Sequence, residues 1–154
     1  MPRAKWDEAD RLWTHAYAQE NPKLITGARR VVEILVRDFD LAIVTSGNRN
    51  RVRQQLREFK LTEYFSACVC SEDAPKKKPH PAPLRLALEQ LHADPAECVY
   101  VGDTQEDIEM ARRAGVRPIG VLGPFPTAQR IRAARPDALL RSVRDLPPYL
   151  RTLD

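Results

Sequence analysis

No apolar run in this sequence approaches the ~20 residues of a membrane-spanning helix, and its first residues lack a signal-peptide core. A cytoplasmic protein without a membrane partner is expected. Cysteine is scarce: there are three, an odd number, and Cys68 and Cys70 fall in one apolar run, so no disulfide framework is expected. Neither a Cys-x-x-Cys nor a paired-histidine spacing occurs, which argues against a zinc site. Aromatic residues make up only 6%, and the net charge of +4 is scattered over arginine-rich helices. A nucleic-acid footprint needs a basic stripe with aromatic partners, so no nucleic acid is expected either. The charge balance is compatible with an anionic substrate.

What is present suits one packed domain. The 154 residues are 43% hydrophobic and 30% charged, without repeats or low-complexity stretches. Residues 4–20 carry Trp6, Ala9, Trp13, Ala16 and Tyr17 at helical spacing and stop at Asn21-Pro22. A second amphipathic helix follows Thr26-Gly27, with Val31, Val32 and Leu35 inward, and leaves through residues 37–40. Residues 41–44 read as a buried strand ending in Thr45-Ser46-Gly47, and the next helix turns Val52, Leu56 and Phe59 inward. A strand at 66–70 precedes a loop at 71–81 with three consecutive lysines. Pro83 suits the first turn of a helix carrying Leu84, Ala87, Leu88 and Leu91. Strands at 98–101 and 118–122, a helix from Thr127, a short apolar piece at 138–140 and a proline-broken helix ending near Leu150 complete the chain. Strands alternating with helices predict a parallel sheet covered on both faces.

The stretch Cys98-Val-Tyr-Val-Gly-Asp-Thr-Gln-Glu-Asp organises the rest. Gly102 and Asp103 end the strand, Thr104 can cap the following helix, and Gly115 can end it in a left-handed conformation. Asp103 is then at the carboxyl end of a central strand, where open α/β sheets bind ligands, with Asp107 in the first helical turn. Capping and helix-dipole preferences alone would also put acids there. Two converging carboxylates equally suit a hard divalent cation such as Mg²⁺. Two other strand ends carry polar groups: Thr45, Ser46 and Gly47 after one, Lys78 in the loop after another. Hydroxyl and amide groups at a helix N-terminus can hold phosphoryl oxygens, and a lysine can offset developing negative charge.

In this order and spacing the residues resemble the haloacid dehalogenase-like (HAD) superfamily, and within it the phosphoglycolate phosphatase-like group. Leu-Ala-Ile-Val-Thr45-Ser46 is similar to the second motif, Lys78-Pro-His-Pro to the third, and Val-Gly-Asp103-Thr-Gln-Glu-Asp107 to the fourth. The resemblance covers roughly residues 24–150. It implies a three-layer Rossmann-like α/β core over residues 23–154, with residues 1–22 a remnant of the last cap helix. It also implies that Thr45 and Lys78 serve catalysis, that Thr45, Ser46, Gly47 and Lys78 bind phosphate, and that Asp103 and Asp107 hold Mg²⁺.

The family's first motif, an Asp-x-Asp on the first strand, is missing upstream of Thr45. Its first aspartate is the nucleophile and its second the general acid and base. Asp38-Phe-Asp40 matches only in spelling, because it ends a helix and runs straight into the strand that carries Thr45. The expectation is therefore a Mg²⁺-dependent phosphatase of small phosphomonoesters by family, truncated, lacking the first strand and most of the cap, and inactive alone. The alternative is a non-catalytic phosphate- or Mg²⁺-binding or interaction module, or half of a split protein. Loss of a strand from the middle of the sheet predicts self-association or a second polypeptide as partner.

Overall fold

The computed structural model describes residues 22–123 and 127–153. The expected helix over 4–20, its Trp6 and Trp13, and the proposed cap remnant lie outside the described residues. The described chain begins with helix α1 (Ala28–Leu35) and strand β1 (Ala42–Val44). Helix α2 (Arg49–Glu58) and strand β2 (Ala67–Val69) follow, then helix α3 (Ala82–Leu91). Next come strand β3 (Val99–Gly102), helix α4 (Gln105–Ala114) and strand β4 (Arg117–Val121). Helix α5 (Ala128–Ala133), strand β5 (Ala138–Leu140) and helix α6 (Leu146–Leu150) complete it. Short 3₁₀ turns at Thr62–Tyr64, Pro95–Glu97 and Val143–Asp145 join some of these. The elements agree with the sequence reading to within a residue or two at their ends.

Local chemistry explains the boundaries. Thr104 and Asp107 form a reciprocal capping box at the start of α4, and Gly115 ends that helix at φ +79°. Asn48 caps α2 by accepting from the amides of Asn50 and Arg51. Pro83 lies in the first turn of α3, where its missing N–H costs nothing.

Every strand pair is parallel. The strands nevertheless form two sheets, β1-β2 and β3-β4-β5, with no ladder between β1 and β3. Ala42, Ile43 and Val44 register with Ala67, Cys68 and Val69. Leu41 O accepts from Ser66 N and Thr45 N donates to Val69 O, so odd-numbered residues of β1 face β2. By alternation, the backbone groups of Ala42 and Val44 face the open side.

Two apolar layers hold the halves together. Leu84 and Leu88 of α3 pack with Met110, Ala111 and Ala114 of α4 on one face, against Val44 of β1 and Tyr100 of β3. On the other face Val31 and Leu35 of α1 pack with Leu146 and Leu150 of α6, against Leu41, Val99, Val101 and Ile119. Tyr100 thus faces one layer and its neighbours Val99 and Val101 the other, the alternation of a strand buried on both sides.

Candidate functional site

Asp107 is the buried acid at the carboxyl edge of β3, only 5% exposed. Its Oδ2 accepts from the Thr104 hydroxyl at 2.8 Å and from the amides of Thr104 and Asp103 at 3.2 and 3.3 Å. Its Oδ1 accepts from Lys78 Nζ at 2.7 Å and from the Tyr100 hydroxyl at 3.2 Å. Burial opposes its charge, but the Lys78 ammonium and these hydrogen bonds prevail and hold its carboxyl below the usual range. Gly102 makes room for it: a Cβ there would lie 2.3 Å from Asp107 Cβ.

Lys78 comes from the lysine-rich loop and turns inward, while Lys76 and Lys77 stay exposed. Its Nζ donates to Val44 O at 2.9 Å and hydrogen bonds the Tyr100 oxygen at 2.8 Å, as well as pairing with Asp107. The Lys78–Pro79 peptide is cis. The Tyr100 hydroxyl also reaches Val44 O, at 3.1 Å. Burial, then the Asp107 charge, raises the Tyr100 pKa, so the phenol keeps its proton. The Lys78 ammonium therefore holds the last carbonyl of β1, with the single Tyr100 proton within reach of both that carbonyl and Asp107 Oδ1, on the side where it has no strand partner among the described residues.

Asp103 is half-buried beside this group and makes no ion pair among the described residues. Burial, then the Asp107 charge, raises its pKa. A carboxylate held near another and short of a counter-charge is what a hard cation relieves. Among the described residues, however, no three His, Cys, Asp or Glu side chains cluster as a metal site. The two aspartates would supply only part of a shell of six or more oxygens.

Thr45 follows Val44 directly, and its Oγ1 accepts from Gly47 N at 3.0 Å, closing the loop on itself. Ser46 is exposed and Gly47 buried. The N-terminus of α2 already has an anion: Glu72 accepts from Arg49 N through both oxygens at 3.2 Å and from Asn48 Nδ2 at 2.6 Å. The Arg49 amide, first, holds the Glu72 carboxyl below the usual range. Of the expected phosphate groups, Gly47 N is thus engaged internally.

Lys78 and Asp107 meet directly, Asp103 reaches Asp107 through its backbone amide, and Thr45 joins them through Val44. Asp38 and Asp40 are exposed at the amino end of β1. Roughly 15 Å of extended chain, at ~3.3 Å per residue, separates Asp40 from Thr45. They are on the wrong edge of the strand to serve this group.

The sequence profile described as haloacid dehalogenase-like hydrolase matches residues 2–121. The chain belongs to this family. It is 32% identical to the pyrophosphatase PpaX of Bacillus velezensis over 92% of its own length and 68% of that protein's. Against the pyrophosphatase PpaX of Bacillus pumilus, 34% identical over 83% of this chain, it spans 61% of the relative. The chain therefore covers about three fifths to two thirds of the length of these curated relatives. Among solved structures, a HAD-superfamily hydrolase from Ehrlichia chaffeensis superposes with a TM-score of 0.74 at 25% identity, over 98% of this chain and 71% of that one. CbbY from Rhodobacter sphaeroides, solved with xylulose-1,5-bisphosphate, gives 0.75 at 26% identity, over 93% and 65%.

Sequence reasoning missed Tyr100, Glu72 and the carbonyl of Val44. Tyr100 left a signal, a polar-tipped aromatic inside an otherwise aliphatic strand; buried, its hydroxyl needs a partner. Glu72 left none, because its partners are 24 residues away in sequence or nearly so.

The two aspartates should respond oppositely to neutralisation. Asp107, with its pKa lowered by folding, stabilises the protein above the ordinary value of about 3.9, and loses that contribution as pH falls through its folded value. Asp103, with its pKa raised, favours folding only when protonated, a contribution lost as pH rises through its folded value. At pH 7 in chelator, urea unfolding should show Asp107→Asn destabilised by about 3–5 kcal/mol, since Lys78 keeps a buried charge without its counter-charge. Gly102→Ala should shift the midpoint the same way, and Asp103→Asn should raise it.

Proposed function

We propose that this chain carries the phosphate- and Mg²⁺-binding part of a HAD-type phosphatase site for small phosphorylated metabolites, and lacks the nucleophile needed to turn them over alone. The observation that supports this best is the Lys78–Asp107 pair beside Asp103 and the Thr45 loop, at one edge of parallel strands. The PpaX relatives support a small phosphorylated substrate. A phosphomonoester handled through an aspartyl-phosphate is the finer reading.

Each residue then has a distinct task. The Thr45 hydroxyl and the Ser46 backbone receive phosphoryl oxygens, and the Gly47 amide joins them on leaving Thr45 Oγ1. The Lys78 ammonium, aligned by Asp107 and Tyr100, supplies positive charge where the transferring group gains negative charge. Asp103 and Asp107 are the residues that would hold Mg²⁺, which when bound supplies charge neutralisation and alignment of the phosphoryl group. The carboxylate that must attack phosphorus, and the acid that must protonate the leaving oxygen, have no candidates on this edge among the described residues.

That deficit favours a second component. Ala42 and Val44 leave backbone groups facing the unladdered side of β1, next to β3. An extended segment from a second copy or another polypeptide could pair there. Its entry would take over the Val44 carbonyl and release Lys78 toward the site.

With Mg²⁺ and a generic aryl phosphate, the chain alone should show no turnover above buffer. Turnover that disappears in Asp38→Asn or Asp40→Asn would overturn the reading and restore those residues as nucleophiles. Calorimetry should detect weak Mg²⁺ binding that Asp103→Asn abolishes; equal binding by both proteins would remove Asp103 from the metal site.

Light scattering over a concentration series should show association, reduced in Ala42→Pro. Proline removes an amide on the open side only, leaving the β1-β2 ladder bonds in place. A monomer at every concentration would mean that the open edge recruits no second copy.

A further inference from the structure

Cys68 of β2 and Cys70, the residue that follows the strand, have their sulfurs 3.8 Å apart and within hydrogen-bonding reach. Cys70 is 2% exposed and Cys68 half-buried. The third cysteine, Cys98, precedes β3 in the other half of the sheet. We propose that Cys68 and Cys70 form a reversible redox site, closing to a disulfide in the presence of low-molecular-weight disulfides and thereby loosening the Thr45–Arg49 loop.

The chemistry needs only the two thiols and a small disulfide. Cys68, the more accessible, loses its proton to solvent and attacks one sulfur of that disulfide, breaking its S–S bond and expelling one small thiol. Cys70 then loses its proton and attacks Cys68 Sγ, expelling the second. Two protein thiols are oxidised and one small disulfide is reduced to two thiols. The order follows from exposure: half-buried Cys68 meets the small disulfide first, while burial closes off Cys70 and raises its thiol to about 12.

The consequence follows from strand geometry. Alternate residues in a strand are about 6.6 Å apart, the long limit of what a disulfide spans, and its preferred span is nearer 5.5–6 Å. Closure therefore curls the strand about Val69. Val69 O accepts from Thr45 N at 2.9 Å, and Ser71 N donates to Gly47 O at 3.1 Å. Cys70 N donates to Asp73 Oδ2 at 2.7 Å, and Asp73 pairs with Arg49. Segment 69–73 thus clamps the loop that carries Thr45; Cys70 lies within the clamp and Cys68 immediately before it. The strain also keeps the bond easy to reduce.

The test treats the full chain with glutathione disulfide, followed by trypsin and mass spectrometry. Cleavage after Lys60 and Lys76 yields a peptide that contains Cys68 and Cys70 without Cys98. The expected product is this peptide lighter by two hydrogens, restored by dithiothreitol. Cys70→Ala should stop at the glutathione adduct on Cys68, and Cys68→Ser should show neither product. Hydrogen exchange should be about tenfold faster over residues 45–49 in the oxidised protein, the scale of one lost backbone bond. In Cys68→Ser, glutathione disulfide should leave that exchange unchanged. No loss of hydrogens from the native peptide would overturn the redox site. Loss without faster exchange over 45–49 would overturn its link to the loop.

Discussion

An ammonium with only 15% of its side chain exposed keeps its charge only if protein atoms replace the lost water, and Lys78 has Val44 O, the Tyr100 oxygen and Asp107 Oδ1. Desolvating such an ion costs several kcal/mol, so the pair adds little net stability, yet removing one member leaves the other uncompensated. The three partners come from β1, β3 and α4, which share no ladder at this point. Lys78 therefore does for the edge of β1 what a neighbouring strand does elsewhere, and fixes Asp107 in the same act.

Continuity across the split rests on the helices. Each apolar layer includes residues from both halves: Val44 with Tyr100 on one face, Leu41 with Val99 on the other. Burial of apolar surface is non-directional, so helices can bridge a gap that hydrogen bonds cannot. Backbone pairing, by contrast, has a fixed spacing of about 4.8 Å, and no ladder of that kind joins β1 to β3. The result is a chain with a formed interior and, among the described residues, no ladder joining the two halves of its sheet.

Much of this was legible in the sequence because its signals are local. The Thr104 cap, the Gly115 stop and the Val-Gly-Asp edge are set by neighbours within five residues, and each is found where the pattern put it. The exclusion of Asp38-Phe-Asp40 rested on its position between a helix and the strand that runs into Thr45, and it lies there in the structure. What stayed hidden depends on contacts between distant segments. The capture of Val44 O by Tyr100 spans 56 residues, and that of Glu72 at α2 leaves no trace in the local pattern. The separation into two sheets fits the expectation that no Asp-x-Asp strand precedes Thr45; the side chains that manage the Val44 carbonyl were not foreseen.

Charge arithmetic at this edge constrains the order of events. Lys78 contributes one positive charge, and Asp103 and Asp107 two negative ones, leaving the group at minus one when all are ionised. Glu72 holds the Arg49 amide and Asn48 Oδ1 holds the next two, so these α2 amides are already engaged. A phosphate dianion brought to Thr45 alone would meet net repulsion in a partly buried place, where screening is weak. A divalent cation at the aspartates would reverse the local sign to plus one. Each ligand then improves the affinity for the other by the same factor, because coupling between two sites is reciprocal. The raised pKa of Asp103, set by burial and then by the Asp107 charge, and the internal bonding of Lys78 both belong to an edge that carries one negative charge more than its own lysine offsets.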